Sequence, residues 1–236
     1  MNDQLSDERP SVAEAASLLE WWLDAGVDIA VGEEPRNWLK PAAEPRQAET
    51  PAVAARPSHD SLEAFQAWLA EAGDLPLFRA GARRVLPHGT IGSPVMLLSD
   101  LPGADETGAG KPLAGQALIL AGRMLDAIGI DPAAAYLASL SCFPSPGSRI
   151  GRDELEQCGK LAREQIRLAK PERLILFGDA PARALTGQPL ATARGRVHRI
   201  EGVRAIATFH PRWLLQRPSD KALAWRDLLL LMSEEG

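Results

Sequence analysis

Cysteine and histidine are scarce in this chain of 236 residues, which contains two Cys and four His. Two cysteines are too few for the disulfide framework that stabilises a small secreted domain. The chain also lacks an apolar run long enough to span a membrane, and its first residues lack the basic start and apolar core of a signal peptide. The sequence therefore predicts a cytoplasmic protein with no membrane partner, and we expect a monomer.

Acidic residues are in excess overall, but only in the first part of the chain. The formal net charge of −5 argues against nucleic-acid binding if it is taken alone. Residues 1–93 contain 8 Lys/Arg against 15 Asp/Glu, whereas residues 94–236 contain 18 against 16. Residues 183–226 contain nine Lys/Arg and only two acids. A phosphate backbone responds to such a local basic field, although solvated surface arginines have the same composition.

Two helices and a linker are predicted before the main α/β pattern. Apolar residues recur with helical spacing in residues 12–25 and again in residues 61–72. Residues 31–57 are rich in Ala, Pro, Glu and Arg without a sustained period, which is typical of a flexible linker. We therefore divide the chain into an N-terminal helix with linker, residues 1–58, and a folded domain, residues 59–236. The first helix either docks a protein partner or covers the surface of the domain.

From residue 94 onward, short apolar strands alternate with amphipathic helices. The predicted strands are residues 94–99, 135–140, 173–177 and 203–208. The predicted helices are residues 118–128, residues 153–169, a short helix ending at residue 185, and residues 221–232. Strands separated by helices pair in parallel through right-handed crossovers, and helices then cover both faces of the sheet. The sequence predicts an α/β fold, namely a three-layer α/β/α sandwich with a four-stranded parallel sheet plus an N-terminal helical extension.

His210 stands at the junction between the last predicted strand and a helix. It follows the apolar run Val203–Thr208 and precedes Pro211, and proline favours the first position of a helix. Asp100 and Ser139 stand at other strand ends, where open α/β sheets bind their ligands. A carboxylate can orient water or stabilise a cation, while an imidazole meets developing negative charge. Residues of these types at one edge of a sheet indicate a candidate active site, although a strand-end histidine is equally compatible with a structural role.

Several short motifs occur here in the same order as in one enzyme family. They are Asp100-Leu101-Pro102-Gly103, Gly110-Lys111-Pro112-Leu113-Ala114-Gly115, Pro146-Gly147-Ser148-Arg149, and the stretch from Thr208 to Leu215. Together they resemble the motifs of family 4 uracil-DNA glycosylases, and the resemblance extends from residue 94 to the C-terminus. It implies an enzyme that extrudes uracil or another damaged base from DNA and hydrolyses its N-glycosidic bond.

The resemblance also implies roles for individual residues. Asp100 corresponds to the glutamate that assists attack by water, and His210 to the histidine that stabilises the leaving base. The substrate-binding positions are Pro102, Gly103, Leu113 and Ser139. Leu113 replaces a phenylalanine that stacks on uracil, and Ser139 replaces an asparagine that reads the edge of the base. Leucine has no aromatic face, and a hydroxyl cannot make the paired contacts of an amide.

The family holds a four-iron cluster through four cysteines, and this chain departs from that pattern. Cys158 corresponds to the fourth ligand, whereas Cys142 lies one position before the third, where Phe143 aligns. The first two ligands fall near Ala72 and Leu75. Because such a cluster requires four thiolates, we expect no iron–sulfur cluster, no other metal and no cofactor.

In the family, the loop after the histidine enters the minor groove and helps to hold the base outside the duplex. Apolar residues flanked by cations suit that task. The predicted DNA-binding residues are Arg194, Arg212, Trp213, Leu214, Arg217 and Lys221. Trp213 and Leu214 either form the wedge or anchor a short helix to the core.

Three functions remain open at this point. The first is a DNA glycosylase, for which uracil opposite guanine is the favoured substrate because a mismatch lowers the cost of base extrusion. The second is a catalytically inactive relative that acts as a nucleic-acid- or protein-binding module, which the replacements at Leu113 and Ser139 motivate. The third is a nucleotide or nucleoside hydrolase on the same scaffold.

Overall fold

The structure is a computed structural model that describes residues 59–145 and 150–233, together with the isolated helical positions Ser17 and Trp21. Apart from those two positions, the helix predicted in residues 12–25 and the linker predicted in residues 31–57 lie outside the described residues. The motif at residues 146–149 also lies outside them. The chain divides into the units Met1–Arg56 and Pro57–Gly236, and the architecture below belongs to the second. The domain boundary at residue 58 stays a prediction.

Five strands form one sheet at the centre of this unit. They are β1 (Met96–Ser99), β2 (Tyr136–Ser139), β3 (Arg173–Phe177), β4 (His198–Ile200) and β5 (Val203–Thr208). Their order in the sheet is β2-β1-β3-β5-β4. The pairs β1–β2, β1–β3 and β3–β5 are parallel, whereas β4 is antiparallel to β5. The predicted α/β class is confirmed, and the predicted count of four parallel strands is corrected to four parallel strands plus one antiparallel edge strand.

The additional strand β4 belongs to a tight hairpin that the sequence pattern did not reveal. Glu201 and Gly202 form its turn with φ of 49° and 81°, as in hairpin turns that require positive φ at both central residues. The strand has only three residues, and of these only Ile200 is buried. A strand this short and polar lacks the alternation from which strands are predicted.

Helices cover both faces of the sheet. They are α1 (Leu62–Glu71), α2 (Ala104–Ala109), α3 (Gly115–Ala127), α4 (Arg152–Ala169), α5 (Asp179–Thr186), α6 (Leu190–Ala193), α7 (Pro211–Gln216) and α8 (Lys221–Met232), with 3-10 turns at Pro132–Ala134 and Pro218–Asp220. The four longer helices that the periodicity predicted are confirmed. The helix α2 was not predicted, because its six residues carry no apolar period. Within the described ranges, no helix combines the length and apolarity required to cross a membrane.

The alternation of side chains along β1 separates two apolar cores. Met96 and Leu98 pack on one face with residues of α1, α4 and α5. Leu97 packs on the other face with residues of α3 and α8. Since successive side chains of a strand point to opposite faces, Ser99, the last residue of β1, lies on the same face as Leu97.

A buried carboxylate fixes the end of β5 to the last helix. Asp227 of α8 is only 2% exposed. It accepts hydrogen bonds from Thr208 Oγ1 at 2.7 Å, from Arg194 Nε at 2.8 Å and from the Gly195 N–H at 3.2 Å. Removing one partner of a buried ion pair leaves the other charge without compensation.

We therefore expect Asp227→Ala to lower the free energy of unfolding by about 3–5 kcal/mol, because Arg194 loses its buried counter-ion. Chemical denaturation of the full chain measures this change. Asp126→Ala, on the exposed side of α3, is the matched control and should change stability by less than about 0.5 kcal/mol. Equal stabilities of the two variants would contradict a structural role for Asp227.

Candidate active site

His210 is held at the end of β5 by a hydrogen bond to each ring nitrogen. It caps the N-terminus of α7, and its Nδ1 accepts the Arg212 N–H at 3.0 Å. Its Nε2 lies 2.9 Å from Ser99 Oγ. Because Nδ1 acts as the acceptor, the proton of the neutral ring is assigned to Nε2. The imidazole therefore presents an N–H donor toward the end of β1.

The imidazole is neutral over the physiological pH range. His210 is 6% exposed, and burial lowers its pKa to about 3, with the positive charge of Arg212 acting in the same direction. The ring of Phe177 lies 6.2 Å away, in an edge-on arrangement, and adds to the apolar surroundings. A neutral imidazole of this kind donates a hydrogen bond but does not act as a strong acid.

Asp100 follows β1 directly and packs against the end of β3. Its Oδ1 accepts the Leu101 N–H at 2.8 Å. A Cβ at Gly178 would lie 2.6 Å from Asp100 Oδ2, and Gly178 has φ of 104°, so glycine is required here both for space and for backbone conformation. Burial raises the pKa of Asp100, the Leu101 N–H and the Arg212 charge oppose this rise, and Asp179 adds to it.

Asp100 opens into a cavity of about 740 Å³ at the edge of the sheet. The cavity is lined by Asp100, Leu101, Ile150, Arg152, Leu155, Asp179, Ala180 and Arg183. Ile150, Leu155 and Ala180 of its lining pack against the core on the α4 and α5 face. His210, in contrast, contacts Ser99 and Phe177, and Phe177 belongs to the core on the α3 and α8 face. The structure thus places Asp100 and His210 at the ends of β1 and β5, which β3 separates, and on opposite sides of the sheet edge. His210 does not line this cavity.

The four predicted substrate-binding residues surround the same strand ends but are closely packed. Leu113 is 1% exposed and belongs to the core beside Leu97. Ser139 Oγ donates to the carbonyl oxygen of Pro112 at 3.4 Å. Pro102 is buried, and Gly103 lies beneath Arg212. Leu113 therefore belongs to the interior of the protein, and the half-buried Ser139 is bonded to the backbone.

Two residues that were not predicted as site residues complete the arrangement. Ser99 is the hydrogen-bond partner of His210, and Glu106 of α2 is 1% exposed and forms an ion pair with Arg212 at 3.1 Å. Glu106 Oε2 also accepts the Gly103 N–H at 3.0 Å, which closes the first turn of α2. A glutamate three residues after the helix cap is a known sequence signal, and it could have located this contact.

Comparison with known proteins agrees with this arrangement. Residues 86–229 match the family model described as the uracil DNA glycosylase superfamily. The chain belongs to this superfamily. It is 28% identical over 166 residues to the Type-4 uracil-DNA glycosylase of Pyrobaculum aerophilum, which covers 66% of this chain and 85% of that protein.

Two further relatives are also named Type-4 uracil-DNA glycosylase. The protein of Archaeoglobus fulgidus is 27% identical over 135 residues, covering 52% of this chain and 68% of its own length. The protein of Thermotoga maritima is 25% identical over 151 residues, covering 62% and 79%. The resemblance to family 4 of the superfamily is therefore confirmed.

The predicted DNA-binding residues of this superfamily member lie in different surroundings. Leu214 is 1% exposed and anchors α7 to the core, whereas Trp213 is 40% exposed. Trp213 stacks on Phe209 and donates from Nε1 to Asp220 at 2.7 Å. The guanidinium of Arg217 lies 4.6 Å from the centre of the Trp213 ring.

The remaining cations of that set divide between the core and the surface. Arg194 is bound to buried Asp227, and its guanidinium lies 4.0 Å from the centre of the Phe209 ring. Lys221 is exposed at the mouth of a small apolar cavity of about 230 Å³ between α3 and α8. Arg212 is bound to Glu106. Lys221 and Arg217 are thus the two cations of the set that the structure leaves on the surface.

The residues at the positions that correspond to the cluster ligands of family 4 do not fit a four-cysteine iron–sulfur site. Leu75 and Phe143 belong to one apolar cluster, with Ala72 and Cys142 packed against it. Cys158 is buried in a separate core cluster, beside residues of β1 and β2. Burial raises the pKa of Cys142 to about 12, so its sulfur is a thiol at neutral pH. Among the described residues, no group of three or more His, Cys, Asp or Glu is arranged to hold a metal ion.

The lowered pKa of His210 predicts a loss of stability in acid. The unfolded chain binds a proton near pH 6.5 but the folded chain only near pH 3, so stability is fully present above pH 6.5 and is lost as the pH falls toward 3. From pH 7 to pH 5, this residue should contribute a loss of about 2 kcal/mol.

Denaturant unfolding of the wild type and of His210→Gln at both pH values measures this contribution. The wild type should lose about 2 kcal/mol more than the variant over the same interval. The same pH dependence in both proteins would show that His210 is not buried as a neutral ring.

Proposed function

We propose that this protein is a DNA glycosylase that removes uracil or another damaged base by hydrolysing its N-glycosidic bond. Membership of the superfamily supports the reaction class. The observation that carries the proposal is the neutral imidazole of His210, whose Nε2–H is held at the strand ends by the Arg212 N–H on the opposite nitrogen. A leaving base anion requires a donor of this kind.

The proposed reaction uses the two strand-end groups differently. As the bond between the sugar C1′ and the base nitrogen breaks, the electron pair leaves with the base, and the Nε2–H of His210 stabilises the resulting anion. To do so, it exchanges its hydrogen bond to Ser99 for one to the base. Asp100, as the carboxylate, orients the attacking water or stabilises the positive charge on the sugar from the side of its own cavity. The water oxygen bonds to C1′, and the proton that the water loses passes to the released base anion or to solvent.

A second function is supported by the packing of the base-contact positions. Leu113 lies in the core and the Ser139 hydroxyl is bonded to the backbone, so neither the stacking ring nor the amide of the family is replaced by an equivalent group. Stacking contributes about 1–3 kcal/mol per base. These losses favour a nucleic-acid-binding relative without catalysis as the alternative.

Release of the base from labelled single-stranded and U·G duplex oligonucleotides distinguishes the two functions. We expect the wild type to generate abasic sites, and His210→Gln and Asp100→Asn each to lower the single-turnover rate by about 100-fold or more. Asp126→Asn serves as the matched carboxylate control on the exposed side of α3 and should retain the wild-type rate. Binding without base release would establish the second function. A protein that neither binds these oligonucleotides nor releases the base would contradict both functions.

The pH dependence of base release provides a separate prediction. Asp100 acts as the carboxylate, so the rate should fall in acid with a midpoint above the ordinary aspartate value, because burial raises its pKa. His210 stays neutral down to about pH 3, so no second transition is expected near pH 6.5. Single-turnover rates measured from below the ordinary aspartate pKa of about 4 up to pH 8 test both statements. A transition near pH 6.5 that is absent in His210→Gln would contradict the neutral-donor role.

A further inference from the structure

We propose that Arg212 is a positioning residue that holds the turn carrying Asp100 against the loop carrying His210, rather than a contact to DNA phosphate. That this positioning serves catalysis rests on the proposed function. The contacts of Arg212 with the turn after β1, with Glu106 and with His210 do not depend on it.

The side chain of Arg212 is bound to the turn that follows β1. Its Nη2 donates to the carbonyl oxygen of Leu101 at 3.1 Å, and its Nη1 donates to Glu106 Oε2 at 3.1 Å. A Cβ at Gly103 would lie 2.2 Å from Arg212 Nη1, so the guanidinium rests directly on the glycine backbone. The fork of donors therefore joins both sides of the turn, which a single ammonium group could not do with the same geometry.

Glu106 completes this contact from inside the protein. Its side chain is 2% exposed, and Oε2 accepts both from Arg212 and from the Gly103 N–H. Its other oxygen, Oε1, is buried and has no hydrogen-bond partner among the described residues. A buried carboxylate depends strongly on its cation in such surroundings, so Arg212 and Glu106 fix the turn as a pair.

The backbone of the same residue fixes the imidazole. The Arg212 N–H donates to His210 Nδ1 at 3.0 Å, which places the ring proton on Nε2, opposite Ser99. One residue thus contacts the loop of the histidine through its main chain and the turn of the aspartate through its side chain. Movement of either segment requires Arg212 to release one of these contacts.

The charge of Arg212 favours the protonation state that the proposed reaction requires of each group. It lowers the pKa of Asp100, which favours the carboxylate, and lowers the pKa of His210, which favours the neutral ring. Besides Arg212, the charged groups that face Asp100 are Asp179, Arg152 and Arg183, from α4 and α5 across the cavity.

Two nuclear magnetic resonance measurements on the full chain test this proposal without requiring base release. The first is hydrogen exchange of the Gly103 amide, which the Arg212–Glu106 pair should protect. Arg212→Gln should accelerate this exchange at least about tenfold, whereas Arg226→Gln, an exposed arginine on α8, should leave it unchanged. Unchanged exchange in Arg212→Gln would overturn the positioning role.

The second measurement is the titration of the Asp100 carboxyl carbon. In Arg212→Gln the pKa of Asp100 should move upward, because the opposing positive charge is lost. In Arg212→Lys it should stay close to the wild-type value, while the Gly103 amide exchanges faster because the fork is lost. If Arg212→Gln does not fold, Arg212→Lys carries the test: faster exchange with an unchanged Asp100 titration supports the proposal, and any other combination overturns it.

Failure of this proposal is distinguishable from failure of the proposed function. If both measurements agree with expectation while the wild type releases no base, the positioning role stands and the glycosylase function fails. If the wild type releases base while Arg212→Gln changes neither measurement, the glycosylase function stands and the positioning role fails.

Discussion

The site depends on the way in which β5 ends. The strand stops at Thr208, whose hydroxyl is bonded to buried Asp227, and two residues later His210 caps α7. The cap uses Nδ1 of the ring, because the exposed N–H groups of a helix N-terminus require an acceptor. The same bond determines which ring nitrogen carries the proton. A structural requirement of the helix therefore sets the chemical state of the imidazole.

The end of β1, which β3 separates from β5 in the sheet, obeys a second constraint, which is the alternation of side chains along the strand. Ser99, the last residue of β1, contacts His210 and shares the face of Leu97, whereas Asp100, which follows the strand, lines the cavity on the α4 and α5 face. Gly178 leaves the space that the carboxylate occupies there. The two groups that the resemblance assigns to catalysis consequently lie at the ends of two strands with β3 between them, on opposite sides of the sheet edge. A substrate that uses both must reach across that edge.

Three positions at which this chain differs from family 4 have a common structural result. Leu113 joins the core beneath α3, and Leu75 and Phe143 build an apolar cluster where the family places cysteine ligands. In each case the substituted position contributes buried surface, which stabilises the fold, in place of a contact to a base or to iron. The chain thus keeps the architecture of the superfamily with a different distribution of polar groups at its site.

The sequence by itself determined the α/β class, four of the five strands and the longer helices, because buried strands and amphipathic helices leave strong periodic patterns. It also located Asp100 and His210 at strand ends, through motifs whose order resembles family 4. The sequence did not reveal β4 or α2, since three and six residues carry too little periodicity. Tertiary structure alone decided that Arg194 and Arg212 bind Asp227 and Glu106, and that Asp100 and His210 lie on opposite sides of the sheet edge. The physical reason is that the partners are far apart in sequence, as are Arg212 and Glu106, which lie 106 positions apart. Burial and packing select these partners, and local sequence patterns do not encode them.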